Sequence, residues 1–185
     1  MNSHTEEDSQ LCSLKCRSIR IGNYRVRPKE KIIITDKGIQ IKVPAINNTE
    51  GVNINIPMYD VLKVLVHFGK SMPILLLYIS TSACMRVRGT LKMTNSQSFY
   101  LDVQSNDQTH KRITIIPEKL TEANKSLLRQ HFHCNVQELE GKDANEILVR
   151  SSPKARDLPI LKRKMGDVSE GGGADRKVGE NKVPL

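Results

Sequence analysis

The chain has 185 residues, with 29 Lys and Arg against 20 Asp and Glu and a net charge of +9. That length holds one domain and a tail, and the positive balance favours polyanionic partners: nucleic acid, anionic lipid heads or an acidic protein face. Aromatic residues make up only 4% and Trp is absent, which argues against a surface that stacks on single-stranded bases.

Residues 1–10 are polar and acidic, lack the apolar stretch of a signal peptide, and read as a disordered leader. From Ser13 to Arg27, Leu14, Cys16, Ile19, Ile21 and Val26 are interspersed with Arg17, Arg20, Arg25 and Arg27. That pattern predicts an extended strand with one basic face, bent or bulged at Gly22-Asn23 and ended by Pro28. Lys31–Asp36 and Ile39–Val43 form the clearest hairpin, turned at Asp36-Lys37-Gly38. Val52, Ile54 and Ile56 alternate with Asn53 and Asn55 as a further strand.

Beyond Pro57, Leu62, Val64, Val66 and Phe68 share one side of a strand. Pro73–Ile79 is a continuous apolar run of the kind found in central strands. It is too short to span a bilayer, so no transmembrane segment is expected. The period then changes: Ala83, Val87 and Leu91 place a helix over Thr81–Met93. Phe99–Val103 reads as a short strand, Gln104–His110 as a polar loop, and Ile113–Ile116 as the last strand, stopped by Pro117. Glu118–His133 has the strongest helical pattern, through Leu120, Ala123, Leu127, Leu128 and His131. Val136–Arg150 continues as helix, broken near Gly141. After Ser151, Pro, Gly and scattered charge describe a disordered basic tail, 151–185.

About seven strands, one inserted helix and a closing helix predict an α+β domain over residues 11–150. The order fits a partly open barrel of the pleckstrin-homology-like (PH-like) kind, with the C-terminal helix as its plug.

Five stretches carry a family resemblance: Cys16–Gly22 (CRSIRIG), Asp36–Pro44 (DKGIQIKVP), Val64–Pro73 (VLVHFGKSMP), His110–Leu120 (HKRITIIPEKL) and Ala144–Pro153 (ANEILVRSSP). They resemble a segment of the divergent sentrin/SUMO-specific proteases, a PH-like region that precedes the peptidase domain. The resemblance implies a nuclear role near SUMO-conjugated proteins, with this region serving recognition or regulation and binding a protein partner such as SUMO or a SUMO-conjugated nuclear protein. The family's peptidases use a His, an Asp and a nucleophilic Cys, with a Trp close to the His. No stretch of this chain matches that set, so no catalytic residue is carried over and the chain reads as a non-catalytic part, short isoform or fragment.

Four cysteines, at 12, 16, 84 and 134, fit a reducing cytosolic or nuclear compartment. Cys84 reads as a small core residue and Cys134 as a helix-end residue. A zinc site from Cys12 and Cys16 with His131, His133 or Cys134 has suitable spacing, but its two halves must meet in space. No cofactor is expected.

Arg17, Arg20, Arg25, Arg27, Lys29 and Lys31 form a candidate anion-binding face for phosphoinositide or double-stranded nucleic acid, or a solvated strand face. Ile32-Ile33-Ile34-Thr35-Asp36 resembles a SUMO-interacting strand, which works by adding to a partner's sheet. The same residues fit a core strand. Lys162-Arg163-Lys164 is a candidate nuclear import cluster.

Overall fold

The computed structural model describes residues 10–47, 49–94 and 98–150. The described strands form two sheets. The first runs in the order β1 (Cys12–Leu14), β4 (Ile32–Thr35), β5 (Gly38–Pro44), β6 (Gly51–Pro57), all antiparallel. The second holds β2 (Cys16–Ile21), β3 (Tyr24–Val26), β7 (Val61–His67), β8 (Ile74–Ile79), β9 (Ile113–Pro117) and β10 (Val136–Glu138), in the order β10-β7-β8-β9-β2-β3. Its only parallel pair is β10 with β7.

Alternation builds the shared interior. Ile32, Ile34, Ile39, Ile41, Val43, Ile54 and Ile56 from the first sheet join Ile19, Ile21, Val64, Val66, Leu75, Leu77, Ile113 and Ile115 from the second in one core. The second sheet is apolar on both faces at its centre. On the outer face, Leu65, Ile74 and Leu76 pack with Ala144, Ile147 and Leu148 of helix α3 (Gly141–Arg150). That double cover explains why β8 reads as an unbroken apolar run.

Two glycines are fixed by geometry. Gly22 turns β2 into β3 with φ +58°, and a Cβ there would lie 1.9 Å from the Tyr100 carbonyl oxygen. Gly38 opens β5 with φ +153°, and its Cβ would lie 2.3 Å from the Ile56 oxygen. Both positions exclude side chains by conformation and by contact.

Helix α1 (Thr81–Leu91) buries Ala83, Cys84, Val87 and Leu91 and lies against β6. Its start is organised by Asp60, which is 5% exposed. The Asp60 carboxylate accepts from Ser80 Oγ at 2.5 Å, from Ser82 Oγ at 3.3 Å, and from Arg86. Ser80 in turn caps the helix by accepting from the Ala83 N–H at 3.1 Å. These bonds hold the Asp60 carboxyl below its ordinary range, the Ser80 hydrogen bond first and Arg86 after it, against the opposing effect of burial. Helix α2 (Glu122–Phe132) packs on β1 and β4.

Several expectations from the sequence are corrected. The single strand expected over 13–27 is three strands: Lys15 separates β1 from β2, which lie in different sheets, and Gly22-Asn23 makes a hairpin turn. Phe99–Val103 is not a strand. Only Leu101 is buried there, and Asp102 organises the following loop by accepting from the Gln104 N–H at 2.9 Å while its own N–H bonds the His110 carbonyl at 2.8 Å. Helix α2 starts at Glu122 rather than Glu118, because the Glu118 N–H is taken by the Lys15 carbonyl at 2.9 Å and Thr121 caps the helix with Asn124 in a reciprocal box. Val136–Glu138 is strand rather than helix: it pairs with Val64–Val66, and the Leu139 N–H extends the ladder to the Val66 carbonyl at 2.7 Å. The sheets do not close into a barrel, in keeping with the partly open α+β arrangement expected from the sequence. Among the described residues no helix is long and apolar enough to cross a membrane.

Candidate anion-binding groove

Pro28 has no backbone N–H to extend pairing, so the chain leaves β3 at Val26 and crosses to β4 through residues 27–31. Lys15 makes the other crossing between the sheets. The two crossings wall a groove of about 650 Å³ lined by Lys15, Cys16, Arg27, Pro28, Lys29, Glu30, Lys31 and Glu118.

Its two acids are both engaged. Glu118 pairs with Lys15 at 3.2 Å, and Glu30 pairs at 2.5 Å with Lys42, which reaches in from β5. Arg17, next to the groove, donates to the Glu118 backbone carbonyl at 3.4 Å. Arg27, Lys29 and Lys31 are exposed and face a groove whose negative charge is already matched. An arginine fork with two lysine point charges suits a phosphate or carboxylate group. Because these groups are exposed, salt screens their attraction.

The structure thus gathers Arg27, Lys29 and Lys31 of the six expected residues, with Arg17 alongside, and adds Lys15. Lys15 was missed because the change of sheet that aims it has no local sequence mark. Arg20 is a correction. It is 9% exposed on the face of β2 that turns away from the core, registered against Thr114 of β9 and Arg25 of β3. Burial, then Arg25 and Arg112, push the Arg20 pKa down. The hairpin at Gly22 sets Arg25 across from Arg20, so the expected continuous basic strand face does not exist.

The stretch that resembles a SUMO-interacting strand lies within the first sheet, as the core-strand reading of the same residues expects. Ile32 and Ile34 are core residues, Ile33 is half-buried and Asp36 sits in the exposed turn. β4 is bonded to β1 on one side and β5 on the other, so neither edge can add to another sheet. Lys162, Arg163 and Lys164 lie outside the described residues.

The thiols are built for packing. Burial raises the pKa of Cys12 and Cys84, and burial followed by Glu118 pushes Cys16 up to about 12. A thiolate is the nucleophilic form, and these environments oppose it. Cys134 is exposed, with its Sγ directed to the Asn135 side chain at 3.7 Å. The two halves of the zinc set that the spacing allows do not converge: Cys12 packs against Asn124, Cys16 donates to the Leu14 carbonyl at 3.5 Å, and His131 is buried on α2. Among the described residues no three metal-binding side chains cluster.

Comparison with protein families matches the profile of the SENP6/SENP7 PH-like domain over residues 11–157. The comparison with curated proteins gave no match. Among solved structures, one described as "Synaptonemal complex protein" is similar at 11% identity and a TM-score of 0.43, covering 71% of this chain and 30% of that one. The family profile takes in both sheets, all three helices and the groove, and the chain belongs to the SENP6/SENP7 PH-like domain family.

Proposed function

We propose that this chain is a non-catalytic recognition module of the SUMO-protease family, nuclear, which binds a protein partner during SUMO deconjugation. The partner is SUMO itself, a SUMO-conjugated protein or the peptidase domain of a family member. The observation that carries this reading is the contrast between its thiols and its surface. Cys12, Cys16 and Cys84 are buried and held toward the protonated form, while Arg27, Lys29 and Lys31 are presented to solvent around a groove. A pull-down of the full chain with SUMO chains and with a family peptidase domain tests it. Retention of either supports the reading; retention of neither removes it. Hydrolysis of SUMO conjugates by the chain alone, abolished by thiol alkylation, would show it to be a protease instead.

A second reading is favoured by the groove itself: an anion-binding module for phosphoinositide headgroups or double-stranded nucleic acid. Phosphate contacts release counterions, so affinity then falls steeply with salt. Binding that is indifferent to salt, or to reversal of Lys29 and Lys31, rejects it.

A further inference from the structure

The groove is a long hairpin held open. The pairing of β2 with β3 matches Ile21 with Tyr24, Arg20 with Arg25 and Ile19 with Val26, and pairing resumes between β1 and β4 at Leu14 with Ile32. Between these two stretches, residues 27–31 stand against residues 15–18, five against four. One extra residue on one strand is the mark of a bulge, a device that ends pairing and re-aims side chains. Pro28 sets its place. Antiparallel partners exchange hydrogen bonds at every second position. Carried on from Ile19 and Val26, the next exchange falls on Arg17 and Pro28, and Pro28 has no N–H to give.

The opened wall keeps hydrogen-bonding groups of both kinds. Among the described residues, the N–H groups of Lys29, Glu30 and Lys31 and the carbonyls of Pro28, Lys29 and Glu30 bond no other backbone group. A second extended chain offers donors and acceptors together and can match both. A phosphate-rich ligand offers acceptors, which answer the N–H groups and leave the carbonyls facing negative charge.

The balance of charge points the same way. Four cations line the groove, Lys15, Arg27, Lys29 and Lys31, with two acids, Glu30 and Glu118, so its net charge is only +2. Lys15 is spent on Glu118, and Glu30 on Lys42. Arg27, Lys29 and Lys31 remain. Three cations are few beside the roughly 6–10 phosphate contacts of a strongly salt-dependent duplex binder. They suit a segment with a few carboxylates: the Arg27 fork can take one through two hydrogen bonds, and the lysines act as point charges.

We infer that the groove seats an extended acidic segment of a protein partner, with its carboxylates on Arg27, Lys29 and Lys31 and its backbone along residues 28–31. The inference rests on the recognition reading above and names the chemistry of the contact.

Fluorescence anisotropy of the full chain with a labelled peptide that alternates Glu and Thr tests it, beside a peptide with Gln for Glu and one with methylated backbone nitrogens. Lys29→Glu/Lys31→Glu reverses charge in the groove, and Lys37→Glu/Lys142→Glu makes the same change at exposed lysines outside its lining. Circular dichroism confirms that both variants are folded; if either is not, the corresponding Lys→Ser pairs serve in their place. The acidic peptide should bind the groove variant at least tenfold more weakly than wild type, and the control variant within twofold. It should weaken at least fivefold on methylation, and the Gln peptide should not bind. Equal losses in the two variants would mean attraction to net charge alone and overturn the inference. No binding, indifference to methylation, or equal binding of the Gln peptide would also overturn it. So would groove-dependent binding of vesicles containing phosphatidylinositol bisphosphate, or of a short DNA duplex, that is tighter than binding of the peptide. In the pull-down above, retention of SUMO chains or the peptidase domain by wild type and groove variant alike would leave the recognition reading standing while this contact fails. Retention of neither, beside groove-dependent peptide binding, would remove that reading and leave the groove's preference for an acidic segment standing.

Discussion

Two charged regions of this domain use charge in opposite ways. At Asp60 the charge is turned inward: two serines and an arginine surround a buried carboxylate, and the cluster joins β7, β8 and α1. At the groove it is turned outward: the two acids are matched by lysines, while Arg27, Lys29 and Lys31 remain exposed. The lesson is that sign and number of charges do not distinguish a structural cluster from a binding one. What distinguishes them is whether the hydrogen-bonding capacity is already used inside the fold.

That contrast can be broken by substitution. Asp60→Ala strands three donors and should lower unfolding free energy by about 1.5–3 kcal/mol, the range for hydrogen bonds to a charged group, read by urea denaturation. The effect should be pH-dependent with a definite sign. The folded carboxyl titrates below its ordinary value, so its contribution is complete above that ordinary value and lost as pH falls through the lower folded one. The wild type and the variant should therefore begin to converge only as the pH falls below about 4.

Cys16 gives a window at the other end of the scale. Its thiol is raised from 9.0 to about 12, so the unfolded chain loses its proton first as pH rises. Stability should fall by about 1.4 kcal/mol per pH unit between those values, and Cys16→Ala should flatten that slope. At neutral pH an alkylating reagent should modify Cys134 while Cys12, Cys16 and Cys84 stay protected, as peptide mass mapping would show. Ser80→Ala removes the α1 cap and one Asp60 partner, and should cost about 1 kcal/mol. Smallest of all, Lys29→Glu with Lys31→Glu should change stability by less than about 0.5 kcal/mol, while weakening any salt-sensitive binding at the groove. A large loss of stability there would mean that these lysines serve the fold.

Much of the fold was legible because period-2 patterning is local. The pairing of Lys31–Asp36 with Ile39–Val43 could be read from alternation and the turn between them, and the helical stripe of Ala83, Val87 and Leu91 marked α1. The family resemblance was legible too, since its words fall on β2, β5, β7, β9 and α3. What could not be read were events set by distant partners. Lys15 crosses between sheets, β10 exists because β7 offers a free edge, and Leu101 is buried in a loop without regular pairing. The groove was half legible for the same reason: a run of cations shows charge, but the hairpin at Gly22 decides that Arg20 turns away from it. The Asp60 cluster had no sequence mark, because Ser80, Ser82 and Arg86 lie 20 to 26 residues from Asp60.

The central claim is that this domain recognises a partner through surface groups the fold does not use. The most direct measurement is chemical-shift mapping of the isotope-labelled full chain, titrated with SUMO chains and with a family peptidase domain. Saturable shifts should appear with at least one of them, gathered on exposed residues of the groove, while Ile39, Ile54 and Leu77 stay unmoved. An unchanged spectrum with both titrants would contradict the account.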